Sequence, residues 1–306
     1  MTQIPVLLDT DIGSDIDDAL ALAYLLRQPN CHLIGVTTVS GEASRRAALV
    51  HWLCAVAGKP QIPVHCGTER PLFGEQRQPD APQFNALPAR FSEIRHPSSH
   101  AVEFLRDEIT RRPGEISLLA IGPLTNVALL FATYQFIPQM LRSLVIMGGT
   151  FRTPGADTTA EWNIQCDPAA AAIVFERNPQ PFLAVGLNVT TKCRLSSTAF
   201  NDMLGGYDPL KAAVKSMADV WFASAPEVTF HDPLAAALIF ESEICETANT
   251  HVQVCLHGPG IKGATLENHD SSYAPHSIAV TVNAPRFFSH YSSVLKSTHT
   301  ITEDSI

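Results

Sequence analysis

Five carboxylates stand within ten residues in the stretch Asp9-Thr10-Asp11-Ile12-Gly13-Ser14-Asp15-Ile16-Asp17-Asp18. Anions this close repel one another, and keeping them all ionised requires a positive charge among them. A helix N-terminus supplies about half an elementary charge, too little for five acids. A bound divalent cation meets the need. Oxygen ligands with no Cys or His nearby select a hard ion, Ca²⁺ or Mg²⁺. Two plainer readings fit less well. An EF-hand loop needs its glycine directly after the third acidic position, and Gly13 falls elsewhere. Helix capping needs one or two acids, not five.

The elements that must hold this stretch are legible on either side of it. Ile4 to Leu8 is an apolar run of the kind that forms a buried strand, and Ala19 to Leu26 has helical character. The acids thus fall between the carboxyl end of a strand and the start of a helix, where open α/β sheets bind ligands. Strand and helix signals then alternate. His32 to Val39 is β-rich and ends in Ser40-Gly41-Glu42; a helix from Ala43 to Ala57 stops at Gly58-Lys59-Pro60; Ile62 to Cys66 is a short strand. Further strands are expected at 116–121, 143–147, 181–188, 251–256 and 277–282. Helices are expected at 98–112, 169–176, 234–240 and 286–295, with two more within 195–224. The expectation is one α/β domain over residues 1–306, an open, mostly parallel central sheet with helices on both faces. From Gly67 to Pro97 five prolines break every pattern. A loop of that length in a compact domain is often functional, for example as a lid, with simple variability as the alternative.

Three later segments carry polar groups that could join the acids. Gly122-Pro123-Leu124-Thr125-Asn126 follows a strand, and alone it reads as an ordinary strand-to-helix turn. Glu161-Trp162-Asn163 sets a carboxylate and an amide beside an aromatic ring, a combination suited to a sugar with several hydroxyls and a planar base. The nearby Asp167-Pro168 reads as a helix cap. His231-Asp232-Pro233 opens an apolar helix, where a lone histidine is more often a cap or core residue than a catalyst. His269 and His276 read as surface residues.

Taken together, these segments resemble the nucleoside hydrolase family that prefers inosine and uridine. D-x-D-x-G followed by D-D-A-x-A, then G-P-L-T-N, E-W-N-x-x-x-D-P and H-D-P, occur in that order, and the resemblance spans residues 4 to about 296. It implies a Rossmann-like core, a bound calcium ion, a homo-oligomer (dimer or tetramer), and hydrolysis of the N-glycosidic bond of a ribonucleoside. It further implies that Asp11, Asp18, Asp232 and the backbone carbonyl of Ile121 hold the calcium. Asp17, Glu161 and Asn163 would contact the ribose, Trp162 would serve the substrate pocket, and His231 would face the base. Asp11 is then the expected general base and His231 the general acid, with Asp9 and Asp15 supporting the site from behind. This chain departs from the family pattern at three points. Two extra residues separate Gly13 from Asp17-Asp18; Glu42 stands where the family places a ribose-binding Asn, and is assigned to substrate binding; and the His-Gly motif of the long loop is missing, His96 being the nearest histidine.

Composition narrows the alternatives. The net charge is -9, and no basic cluster exceeds Arg45-Arg46 or Arg111-Arg112, so nucleic acid and anionic membranes are poor partners. No apolar run approaches the length of a membrane span, and the chain starts in a strand without a leader pattern, so a cytoplasmic setting is expected. Seven scattered cysteines without C-x-x-C fit free thiols in a reducing compartment. A Mg²⁺-dependent phosphatase of the haloacid dehalogenase type also begins with D-x-D. It needs a lysine after a later strand and a late acidic pair; Lys192 and Lys262 are poor candidates, and no Asp-Asp pair recurs after Asp18. A calcium-dependent nucleoside- or sugar-binding protein without turnover is the remaining alternative.

Overall fold

The structure is a computed structural model and describes residues 3–92, 100–152, 160–177, 181–206, 208–258, 260–268, 273 and 275–296. The strands are β1 (Ile4–Thr10), β2 (Cys31–Thr38), β3 (Val64–Cys66), β4 (Ser117–Ala120), β5 (Ser143–Met147), β6 (Phe182–Val185), β7 (Arg194–Ser196), β8 (Glu227–Thr229), β9 (Cys245–Val254), β10 (Thr265–Asn268) and β11 (His276–Val282). Nine of them form one sheet in the order β10-β9-β11-β6-β5-β4-β1-β2-β3, while β7 and β8 pair separately. From β3 to β11 neighbours pair in parallel; β9 runs antiparallel to both β11 and β10. This is a mostly parallel α/β sheet. Its β1 strand pairs with β2 on one side and β4 on the other, so the order reverses there. The carboxyl ends of β1 and β4 therefore flank a crevice.

Strand alternation divides the core into two layers. Val6 and Leu8 pack with Leu20, Leu49, Met217, Leu234 and Tyr291 on one face. Leu7 and Leu118 pack with Leu105, Val127 and Val174 on the other. Helices thus cover both faces. The most deeply placed is Asp17–Arg27, buried from Asp17 through Leu26. Its Ala and Leu residues are strong helix formers, and Asp17 and Asp18 in its first turn suit the helix dipole. It ends at Arg27, before Gln28-Pro29, because the residue preceding a proline is driven out of the helical region.

Several boundaries differ from expectation. β9 begins at Cys245 rather than near 251, and β10 was not foreseen, because Glu246, Asn249, Glu267 and Asn268 are of types depleted in strands. The two helices expected within 195–224 are Ser197–Met203 and Pro209–Phe222, and the short β7–β8 pair, which was not expected, flanks them. Asn188 lies in a short helix, Leu187–Thr190, not in a strand. His276 is buried, not at the surface: its Nδ1 accepts from Val252 N at 2.9 Å, and its Nε2 lies 2.9 Å from the Phe175 carbonyl. With both ring nitrogens satisfied, the imidazole can be buried at little cost. His96, His269 and the polar run Thr153 to Thr159 lie outside the described residues.

Asp208 joins two helices of this core. It caps Pro209–Phe222 by accepting from Leu210 N (2.9 Å) and Lys211 N (3.1 Å), and it pairs with Arg27 at 2.6 Å. Losing an N-cap costs about 1–2 kcal/mol. Asp208→Ala is expected to lower unfolding stability in urea by about that much, or more because Arg27 also loses its partner. Unchanged stability would show that neither contact contributes.

Candidate active site

The acidic stretch enters the crevice as β1 ends. Asp9 and Thr10 are the last residues of the strand, and each hydroxyl or amide around them has a defined task. Asp9 Oδ1 accepts from Thr37 Oγ1 of β2 and from Asn126 Nδ2 at 2.8 Å. Its Oδ2 is buried with no partner among the described residues, and burial lifts its pKa to about 7. Thr10 Oγ1 donates to Asp18 Oδ1, tying the strand end to the helix that follows. Asp11 then approaches the turn after β4. A side chain at Gly122 would come within 2.7 Å of Asp11 Oδ1, so only glycine permits the approach.

Asp17, Asp18 and Asp232 form the tightest acidic group among the described residues. Each is buried, and one oxygen from each lies within 4.8 Å of the others. Burial, followed by repulsion from neighbouring carboxylates that include Asp11 and Asp15, raises all three carboxyl groups well above the ordinary range. Asp15 is raised to about 6 mainly by burial. Asp11 is raised by burial too, with the Arg46 charge and a hydrogen bond from Gln78 pulling it back. Oxygen-only donors, crowded and costly to ionise, are what a hard divalent cation requires. A cation of that class fits these residues.

Arg46 is the positive charge that reading the sequence overlooked. Its side chain is fully buried, yet among the described residues it forms no ion pair. It donates instead to the carbonyls of Asp11, Ile12 (3.0 Å), Ser40 (2.7 Å), Asp80 (3.1 Å) and Gln78 (3.4 Å), and to Ser14 Oγ (3.1 Å). One guanidinium thus fixes the acidic turn, the turn after β2 and part of the long loop.

That loop folds onto the site. Gly41 (φ +55°) leaves room for it, since a Cβ there would stand 2.3 Å from the Gln78 carbonyl. Glu42 N donates to Pro79 O at 3.1 Å, and the Glu42 carboxylate accepts from Ala81 N at 3.1 Å and pairs with Arg45 at 2.8 Å. Glu42 therefore moors the loop and does not line the cavity. The loop's own contribution is Gln78, which no local signal marks because no periodicity surrounds it.

The remaining residues close a cavity of about 410 Å³. Asp11, Asp15, Asp17, Asp18, Ile121, Glu161, Trp162, Asn163, His231 and Asp232 all lie on its wall, brought together from four separate segments. Glu161 caps the short helix Trp162–Cys166, accepting from Asn163 N (2.8 Å), Ile164 N (3.1 Å) and Gly149 N (3.2 Å). Burial still raises its pKa to about 7. Asn163 Nδ2 donates to the carbonyls of Ile121 (2.8 Å) and Met147 (3.2 Å). A carbonyl has two lone pairs, so Ile121 keeps one for another partner. His231 Nδ1 lies 2.7 Å from Thr190 Oγ1, and burial, then the nearby Arg194 charge, pushes its pKa down to about 4. Leu187, Met147 and Trp221 add apolar surface that no motif signalled. Asp167 stays out of the cavity: it accepts from Ala170 N (3.0 Å), Thr125 Oγ1 (2.7 Å) and Leu72 N (2.7 Å), capping a helix and holding the G-P-L-T-N turn.

Comparison with known proteins identifies the family. The family model for inosine-uridine preferring nucleoside hydrolases matches residues 6–289. "Probable uridine nucleosidase 2" of Oryza sativa subsp. japonica is 30% identical, over 96% of this chain and 94% of its own length. "Pyrimidine-specific ribonucleoside hydrolase RihA" of Photobacterium profundum is 29% identical, over 86% and 88% respectively. A solved plant nucleoside hydrolase superposes with a TM-score of 0.83 at 28% identity, covering 96% of this chain and 99% of that one. An inosine-guanosine nucleoside hydrolase shares the fold, with a TM-score of 0.84 at 22% identity, over 96% and 99%. The match runs from the first strand into the last helix, and on that extent the chain belongs to the inosine-uridine preferring nucleoside hydrolases, a family of N-ribosyl hydrolases.

Proposed function

We propose that this enzyme hydrolyses the N-glycosidic bond of ribonucleosides in a calcium-dependent reaction, releasing free base and ribose. The observation that carries the reading is the buried carboxylate group of Asp17 and Asp18, in the first turn of the helix after β1, and Asp232, in the first turn of His231–Leu238, lining one cavity with Glu161, Trp162 and Asn163. Uridine is the substrate to test first, because relatives at about 30% identity are named for uridine or pyrimidine ribonucleosides. We retain a homo-oligomer and a cytoplasmic location as parts of the proposal.

Asp11, Asp18, Asp232 and the Ile121 carbonyl would hold the ion, and Asp17 stands close enough to share it or to accept from a ribose hydroxyl. When bound, calcium supplies positive charge that lets the clustered carboxylates ionise and makes a nearby water more acidic. Asp11 then acts as general base, taking a proton from the water that attacks C1′. A C–O bond forms as the C–N bond breaks, through an oxocarbenium-like transition state. Asp17, Glu161 and Asn163 orient the ribose. His231 gives the departing base its proton. Burial holds the His231 pKa low, so it must take up a proton as negative charge develops on the base; the proton that Asp11 removes from the attacking water, returned through solvent, balances the one His231 gives up.

Three outcomes follow. Chelation is expected to abolish release of ribose and calcium to restore it, with calcium also raising the melting temperature because it binds only the folded site; full turnover in a metal-free sample would exclude the calcium reading. Uridine is expected to be cleaved far better than its 5′-monophosphate, because a phosphate of roughly -2 charge would enter a cavity lined by carboxylates; equal kcat/KM for the two would contradict this placement of Glu161. His231→Ala is expected to slow ordinary nucleosides by about 10²–10⁴-fold, yet to cleave p-nitrophenyl riboside almost as fast as the parent enzyme, since that leaving group needs no proton. Equal losses on both substrates would remove His231 from the acid role.

A further inference from the structure

Gln78 is the one residue of the 67–92 segment on the cavity wall, and its hydrogen bonds run in two directions. The amide nitrogen donates to Asp11 Oδ2 at 2.7 Å and to Ser14 Oγ at 2.8 Å. The amide oxygen accepts from Trp162 Nε1. The indole nitrogen can only donate, so it fixes which end of the amide faces it and leaves the nitrogen for Asp11. The backbone below is held separately, by Arg46 on the Gln78 carbonyl (3.4 Å) and by a bond from Gln78 N to Gln76 Oε1 (2.8 Å). Asp11 itself is confined on its other side, where Oδ1 lies over Gly122.

We propose that Gln78 is a positioning residue for the hydrolytic step: Trp162 orients its amide, and the amide holds the plane of the Asp11 carboxylate for proton transfer from water. The proposal rests on Asp11 being the general base. One bond from an Asp11 oxygen to the ion would leave rotation about Cβ–Cγ open, and the Gln78 amide on Oδ2 removes that freedom before substrate arrives. The partner bond costs little to keep, because a hydrogen bond to a charged acceptor is among the stronger ones in proteins. Trp162 is about half exposed on the cavity wall, so the same indole that meets the substrate also sets the amide that aims the base. Attack and substrate contact are thereby joined through one side chain.

The test uses calcium-supplemented protein labelled with ¹⁵N at its three tryptophans, Trp52, Trp162 and Trp221. Trp162→Phe removes one indole N–H signal, and Gln78→Ala is expected to shift that same signal while leaving the other two in place. In kinetics, Gln78→Ala is expected to lower kcat by about 10- to 100-fold, with KM for uridine little changed. The loss should be the same on p-nitrophenyl riboside, because it falls on attack rather than on leaving-group departure. Trp162→Phe keeps the ring but not the donor, so its loss in kcat should be smaller, and the double variant should be no slower than Gln78→Ala alone. The assays are run at saturating calcium, because the amide on Asp11 also supports a proposed metal ligand. Melting temperature without added metal should match the parent for Gln78→Ala, and its kcat should stay lowered at calcium saturation. An unmoved indole signal, losses that multiply in the double variant, or a change confined to KM would each overturn the proposal. An Asp11→Asn enzyme with full activity would overturn the base assignment instead, and the indole shift would still be seen.

Discussion

Like charge packed into a low-dielectric crevice is the constraint on which the rest of this structure depends. Asp9, Asp11, Asp17, Asp18 and Asp232 are all nearly inaccessible to water, and burial raises every one of them. Left alone, such a cluster would take up protons or push the turn apart. The fold answers with neutral donors and one remote cation. Thr10, Thr37 and Asn126 bond to carboxylates directly, while Arg46 grips the backbone that carries them. The arrangement satisfies the geometry of the loop without cancelling its charge. A site so built stays hungry for a divalent ion.

The position of the cluster follows from sheet topology. Only where the strand order reverses do two carboxyl ends, those of β1 and β4, open onto the same space. The helix that starts at Asp17 is buried along nearly its whole length, and Tyr24 stacks on Tyr291 at 5.7 Å behind it. The metal-ready turn is therefore set between a central strand and a central helix. Rigid elements hold reactive groups with less positional error than loops do.

Much of this was legible from the chain. The D-x-D-x-G, E-W-N and H-D-P segments pointed to residues that share one cavity, because each motif couples a chemical group to a turn that can present it. Strand and helix alternation gave the parallel sheet for the same reason: period and burial go together. What escaped was whatever depends on distant partners. Arg46 sits in a helix beside Arg45, and nothing local says that one points to solvent and the other into six oxygen acceptors. Gln78 and Glu42 take their meaning from each other's neighbourhood, where a loop is moored to a turn some thirty-five residues earlier. Polar edge strands such as β10 were missed because their pattern lacks a buried face on each residue pair.

Glu161 has a consequence for how this pocket can change over evolution. Its two oxygens are committed to three backbone amides, and Asn163 is committed to two backbone carbonyls. Replacing either would disturb the main chain that frames this wall of the cavity. The side chains of Leu187 and Trp221 make no such bonds to the Glu161–Asn163 turn, whereas Met147 Sδ also accepts from Asn163. Substitution at Leu187 or Trp221 can therefore reshape the cavity at less cost to its frame than substitution at Glu161 or Asn163.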